Sequence, residues 1–186
     1  MVQSLELTLD AASDAAVRVE WDALAAAGLP SQAAHRHPGN RPHVTLLVRP
    51  AFDRPPLADP ALAPVLAGLP LPLRLGAPVL FGRGERRVLA RLVVPSAELL
   101  GLHGALHHAM GPGDDAPNTT PGEWTPHVTL ARRIPLDRLG EALAVLTRLD
   151  EHVEGGSEPI TAEPIAAVAE SLRHWDGDAR VVTPLD

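Results

Sequence analysis

Two histidines, each followed two positions later by a threonine, stand in identical words in this chain: Pro42-His43-Val44-Thr45-Leu46 and Pro126-His127-Val128-Thr129-Leu130. An imidazole, with an ordinary pKa of about 6.5, can give or take a proton near neutral pH. A hydroxyl beside it can donate to an anionic oxygen. The same pair presented twice is therefore a proposal for a site with one proton donor and one proton acceptor. On a strand, residues i and i+2 point to one face. Each word thus aims its His and Thr together, while Val44 and Leu46, or Val128 and Leu130, face the other way, toward a core. The longer echoes RPHVTLLVR and TPHVTLARR place both words where a strand pattern begins directly after a proline, a position that strands tolerate.

Short repeats arise easily in a chain rich in Ala, Leu and Pro. This one carries the less common His and has the same strand-start context in both copies. The alternative is two edge strands whose polar residues merely meet solvent, which would not need both residues twice on one parity.

The chain has 186 residues, 45% hydrophobic and 21% charged, which fits one domain or two small lobes sharing a core. It has no cysteine, so disulfides, thiolate nucleophiles and Cys-based metal sites are excluded. A formal charge of −7 argues against a surface that coats nucleic acid generally. It leaves room for a small phosphorylated ligand, or for one nucleic-acid terminus held by a local arginine cluster. Tyr is absent and aromatics are 3%, against a sheet that stacks RNA bases on rings. The N-terminal MVQSLELTLD lacks a basic and then apolar leader pattern, and no apolar run approaches the roughly 18 residues of a membrane span. A cytoplasmic, monomeric protein without membrane contact is expected.

Ser4 to Leu9 alternates as a strand, and Asp10 or Ser13 caps a helix with Val17, Trp21 and Leu24 on its apolar stripe, stopped by Gly28 and Pro30. A polar loop, Ser31 to Asn40, leads to the first fork on a strand from Pro42 to Val48. Asp59-Pro60 opens a short helix through Leu66, closed by Gly68. The runs Leu71 to Phe81 and Arg87 to Val94 read as a hairpin. Gly82-x-Gly84 between them has no helix after it and is turn chemistry rather than a dinucleotide fingerprint. Ser96 starts a helix with Leu99, Leu102, Leu106 and Met110 inward, and a long turn-rich loop then delivers the second fork. Pro135 to Leu149 is a further amphipathic helix with Leu136, Leu139, Leu143 and Leu146 inward; strands near Ile165 to Leu172 and Ala179 to Val182 flank the turn Asp176-Gly177-Asp178. Both forks follow a loop and precede a helix. The expected fold is α+β and bilobal: a duplication with two antiparallel sheets, helices outside, and the forks facing across a central cleft.

With both motifs in hand, the chain resembles the two-histidine (2H) phosphoesterases, the superfamily of 2′-5′ RNA ligases and 2′,3′-cyclic nucleotide phosphodiesterases. His43-Val44-Thr45-Leu46 and His127-Val128-Thr129-Leu130 match its two His-x-Thr/Ser motifs without substitution, and their spacing of 84 residues suits it. The hairpin VLFGRGERRVLARLVVP, the Trp124-x-Pro126 lead-in and a late strand near Glu170-Ser171-Leu172 fall where the family has similar segments, so the likeness spans most of residues 4 to 182. The resemblance implies a single domain, residues 1–186, of two pseudo-symmetric lobes. It implies catalysis by His43, Thr45, His127 and Thr129 without metal or other cofactor, on a cyclic-phosphate nucleotide or RNA terminus. By analogy His127 is the base and His43 the acid, hydrolysis leaves a 2′-phosphate, and the reverse reaction is RNA ligation. The chemistry is consistent with this: opening a cyclic phosphate needs a proton taken from water and another given to the departing oxygen. Threonine hydroxyls can serve the non-bridging oxygens, where charge builds up.

Arginine forks suit phosphate geometry. Strand parity favours Arg41, Arg49 and Arg133 as substrate-binding residues over Arg132, with solvated strand-end charges as the alternative for each. Trp124 could stack on a base or serve packing, and Phe81 and Trp175 carry the same two readings. His103 and His107 stand i, i+4 on a helix, a metal-chelating spacing, but lack an HExxH pattern and lie beside the Leu/Met stripe, which favours packing. His108 points to solvent, and His35 and His37 belong to a surface loop that could touch substrate. Two functions compete with the phosphodiesterase: a non-catalytic binder of RNA ends or phosphorylated nucleotides, and a metal-dependent hydrolase built on His103 and His107.

Overall fold

A computed structural model of the chain describes residues 2–53, 55–56, 59–151 and 165–185. Strand β1, Gln3–Leu9, alternates Ser4, Glu6 and Thr8 with Leu5, Leu7 and Leu9, and all six are buried, so it is covered on both faces. The Asp10 carboxylate accepts from the Ser13 N–H at 2.9 Å and caps helix α1, Ala11–Ala26, which buries Val17, Trp21 and Leu24 as its stripe requires. The first motif opens β2, His43–Arg49. Asp59 caps a 3₁₀ turn, Pro60–Leu62, that continues into the single turn of α2, Ala63–Leu66. The hairpin consists of β3, Leu71–Phe81, and β4, Arg86–Val93. Its turn holds Gly82 at φ +94° and Gly84 at φ +74°, values that favour glycine.

Ser96 caps α3, Ala97–Met110, and Leu99, Leu102 and Leu106 go into the core. The second motif opens β5, His127–Pro135. The next helix differs from the sequence expectation. Leu136 sits in a preceding 3₁₀ turn and α4, Leu139–Glu151, buries Ala142, Val145 and Leu146, leaving Leu136 and Leu143 exposed at 45% and 38%. At 100° per residue, 142, 145 and 146 form one stripe and 143 lies off it. Strand β6, Ile165–Asp176, runs four residues past its expected end and returns through the Asp176 turn into β7, Val181–Leu185.

The seven strands join in one antiparallel sheet, ordered β1-β2-β5-β4-β3-β6-β7, and β1 also pairs with β6. Two separate sheets were expected; instead the pairings lead from β1 through β2, β5, β4, β3 and β6 back to β1. The link between the motif strands is slight, because β2 and β5 share only the pair Val44–Val128. Helix α1 lies on the face that carries Val128. Arg91 of β4 is opposite Val128 and makes a buried ion pair with Glu20 of α1. Among the described residues no helix is long and apolar enough to cross a membrane.

Candidate active site

Val44 and Val128 stand opposite one another in antiparallel register and are fully buried. Their sequence neighbours His43, Thr45, His127 and Thr129 consequently project from the opposite face, and all four are half-buried. Register about the two valines sets His43 across from Thr129 and Thr45 across from His127, so the forks are related by a local twofold. In regular pairing, diagonal neighbours of this kind stand about 7–8 Å apart, a gap that a phosphoryl group can occupy.

Both rings are held in the same way. His43 Nδ1 lies 2.6 Å from the Arg41 carbonyl and His127 Nδ1 lies 2.8 Å from the Thr125 carbonyl, in each case two residues back. A carbonyl can only accept, so each bond assigns the proton to Nδ1 and leaves Nε2 as the working nitrogen. The Arg173 guanidinium, 3.2 Å from His43 Nδ1, is then a close charge rather than a hydrogen-bond donor to it. The threonine backbones are propped crosswise. The Trp21 indole N–H donates to the Thr129 carbonyl at 3.1 Å, and that of Trp124 to the Thr45 carbonyl at 2.9 Å. Neither threonine hydroxyl is engaged with another described group, so both are available to an incoming anion.

The surroundings of the two rings break the symmetry. On the His43 side, Thr8 pairs with both His43 and Ser171, and Glu6 with both Thr45 and Arg173, which brings these polar residues onto the fork-bearing face. Glu6 and Arg173 form a buried ion pair at 2.8 Å, and the Ser4 hydroxyl donates to Glu6 Oε1 at 2.6 Å. Glu6 Oε1 is 3.7 Å from His43 Nε2, an ion pair when that ring is protonated. Burial pushes the Glu6 carboxyl up, but His43, Arg173 and the Ser4 hydroxyl outweigh it and hold the carboxyl below its ordinary value. On the His127 side, register places Ala90, Val79, Val88 and Phe81 on the fork-bearing face, and the Phe81 ring centroid is 4.6 Å from that of His127. Desolvation lowers the His127 pKa, helped by the charges of His43 and Arg132 and opposed by the Thr125 carbonyl.

Of the four residues expected to bind substrate, one is turned away altogether. Arg49 is buried, ion-paired with Asp115 and bonded to the Met110 and Gly111 carbonyls at 3.3 and 2.6 Å, so it clamps the loop after α3 instead of meeting phosphate. A β-bulge breaks the strand parity before Arg49. Pairing with β1 steps from Leu5–Leu47 to Glu6–Thr45, skipping Leu46, and both leucines are buried. The second word has the same bulge: pairing with β4 steps from Ala90–Thr129 to Leu89–Ala131, skipping Leu130. Beyond it Arg133 adopts φ +65°, and the arginine felt by His127 is Arg132, not the expected Arg133. Arg41 donates to Asp14 at 3.0 Å and its side chain remains 43% exposed near the first fork. Trp124 has one face stacked on His103, at 3.9 Å and 9°, and its N–H on Thr45, which makes it a strut beneath the fork.

His103 and His107 both direct Nε2 to the Leu46 carbonyl, at 3.0 and 3.2 Å, and so hold the bulge; His107 also meets Asp115 at 3.2 Å. Both rings are thus engaged with the backbone, and among the described residues no group of three or more His, Asp or Glu could hold a metal ion. Sequence reasoning missed Glu6 and Arg173. A glutamate alternating with Ser4 and Thr8 on an otherwise leucine-faced strand was the available signal.

The two imidazoles and the two threonine hydroxyls thus share one face of the sheet. The chain belongs to the 2′-5′ RNA ligase superfamily, whose family model it matches over residues 13–162. Among solved structures it is similar to Kluyveromyces marxianus Usb1, with a TM-score of 0.52 at 14% identity over 99% of this chain and 98% of that one. Kluyveromyces marxianus Usb1 with uridine monophosphate gives a TM-score of 0.50 at the same identity and coverage. At that identity the likeness is one of fold. No curated protein matches the chain significantly. Family membership supports an enzyme of the phosphodiesterase class.

Proposed function

We propose that the protein is a metal-independent cyclic phosphodiesterase that opens 2′,3′-cyclic or related phosphates of nucleotides or RNA ends. The observation that carries this reading is the Val44–Val128 pair, which turns both forks onto one face. His127, lowered by its desolvated setting, is neutral near pH 7 and takes a proton from the attacking water. The water oxygen bonds to phosphorus, the bond from phosphorus to one ribose oxygen breaks, and His43 gives that oxygen its proton. A 2′-phosphate is the expected product. Glu6 Oε1 stands 3.7 Å from His43 Nε2, the nitrogen that makes that donation. Thr45 and Thr129 donate to the non-bridging oxygens as their charge grows. With a hydroxyl group in place of water as the attacking group, the same steps join the cyclic phosphate to that hydroxyl: His127 takes its proton, its oxygen bonds to phosphorus, and the departing ribose oxygen takes the proton of His43. The superfamily name, and the uridine monophosphate held by the similar Usb1 structure, support a nucleotide or RNA end as substrate. The crosswise Trp props and the bulge repeated at Leu46 and Leu130 support the reading of one domain built from two pseudo-symmetric lobes.

Assays of purified protein on nucleoside 2′,3′-cyclic phosphates test the proposal. Activity is expected to withstand chelator, and His43→Ala or His127→Ala each to lower kcat by about 10²–10⁴-fold or more. Loss to chelator with recovery on zinc overturns it. Nucleotide binding with no turnover of any cyclic phosphate would instead identify a non-catalytic binder.

A further inference from the structure

The fork-bearing face continues past the histidine gap along β6. Ser171 is opposite Thr8, Arg173 opposite Glu6 and Trp175 opposite Ser4, so these three side chains form one row on that face. Residues i and i+2 of a strand are about 7 Å apart. Trp175 therefore stands about one nucleotide's length beyond Arg173, whose guanidinium is 3.2 Å from His43. At that place there is a cavity of about 720 Å³ lined by Val2, His35, His37, Trp175, Gly177 and Arg180. Its size falls within the range of small-ligand pockets.

The walls are built rather than incidental. The His37 ring meets Trp175 edge-on at 5.0 Å and 83°, accepts from the Gly39 N–H at 3.0 Å, and donates through Nε2 to the Arg180 carbonyl at 3.1 Å. The Gly39 carbonyl accepts from Arg173 at 3.0 Å, so the guanidinium beside His43 also anchors the pocket loop. Any Cβ at Gly39 would lie 2.5 Å from Val182 Cγ2, and one at Gly177 would lie 2.3 Å from the Val2 carbonyl oxygen. Both glycines are needed for the backbone to close on the pocket.

Direction decides the ligand. If His43 protonates the departing oxygen, the ribose that keeps this oxygen, and its base, lie on the His43 side of phosphorus. Trp175 is on that side and the Phe81 wall is on the other. We propose that the Trp175 cavity receives the nucleobase of the nucleotide whose phosphate lies between His43 and His127, by stacking on the indole. The inference rests on the cyclic phosphodiesterase reading. Stacking accepts any base, because every base has a π-face. With His37 already committed to the backbone, base preference is expected to be slight.

Equilibrium titration with adenosine 2′-phosphate and with inorganic phosphate tests the pocket. Trp175→Ala is expected to weaken the nucleotide about 5- to 150-fold relative to inorganic phosphate, and Trp175→Phe to keep most of the affinity. In turnover, Trp175→Ala should lower the preference for a nucleoside cyclic phosphate over a base-free ribose cyclic phosphate by a similar factor, through KM. Equal weakening of nucleotide and phosphate, or no change in either, overturns the proposal. If wild-type protein opens no cyclic phosphate the catalytic reading fails, and the titration still decides whether a base is held at Trp175.

Discussion

His43 and His127 share a word, a tautomer and a backbone acceptor two residues back, so whatever separates acid from base must lie outside the motif. One ring faces the Glu6 carboxylate with Arg173 behind it; the other faces Phe81. Glu6→Gln keeps the hydrogen-bonding atoms and removes the attraction for the His43 imidazolium. Arg173 is left without its ion-pair partner beside that ring. With His43 as acid, kcat for opening a cyclic phosphate at pH 7 is expected to fall about 10-fold, with KM little changed. An unchanged kcat would remove Glu6 from the support of that proton transfer. The substitution also breaks a buried ion pair, at a cost of about 3 kcal/mol in urea unfolding. Because the Glu6 carboxyl is held below its ordinary value, this contribution is present above about pH 4.5 and is lost as pH falls below it.

Between residue and fold stands the bulge that each motif strand makes at its fifth letter, Leu46 and Leu130. The Leu46 carbonyl is held by His103, which also lies 3.0 Å from the Thr119 carbonyl. Burial, with the nearby His107 charge, lowers the His103 pKa to about 4, with the two carbonyls and Asp115 opposing. An unfolded chain binds this proton near pH 6.5. Between pH 6.5 and 4 the unfolded state therefore takes up more protons, and stability falls as pH falls, by on the order of 2 kcal/mol. Urea midpoints followed over that range should show the slope in wild type and a flatter one in His103→Gln; identical slopes would remove His103 as the cause. The same bulge limits what sequence can tell. Alternation and caps located β1, α1, α3 and the hairpin, because each is a local pattern of burial. Parity carried across Leu46-Leu47 put Arg49 in the site, although the apolar doublet itself marked the break. Glu6 and Arg173 are 167 residues apart, and only the β1–β6 register brings them to His43.

Across the whole molecule, the two motif strands touch at one residue pair, yet a single apolar cluster contains residues from every strand and every helix, from Leu5 to Leu185. A slight sheet contact would let two lobes come apart, whereas a shared core makes them unfold together. Trp21 and Trp124 report on both sides, since each indole is bonded to the other motif's threonine carbonyl. Far-ultraviolet circular dichroism and tryptophan fluorescence are therefore expected to trace one coincident urea transition. Val128→Ala leaves a cavity at the junction and should move both signals together by roughly 2 kcal/mol. It should also lower activity below the midpoint, because the backbone that aims both forks rests on that valine. Two transitions, with fluorescence lost before helix signal, would mean that the halves are separable and that the gap between the histidines is set by docking of lobes rather than by the common core.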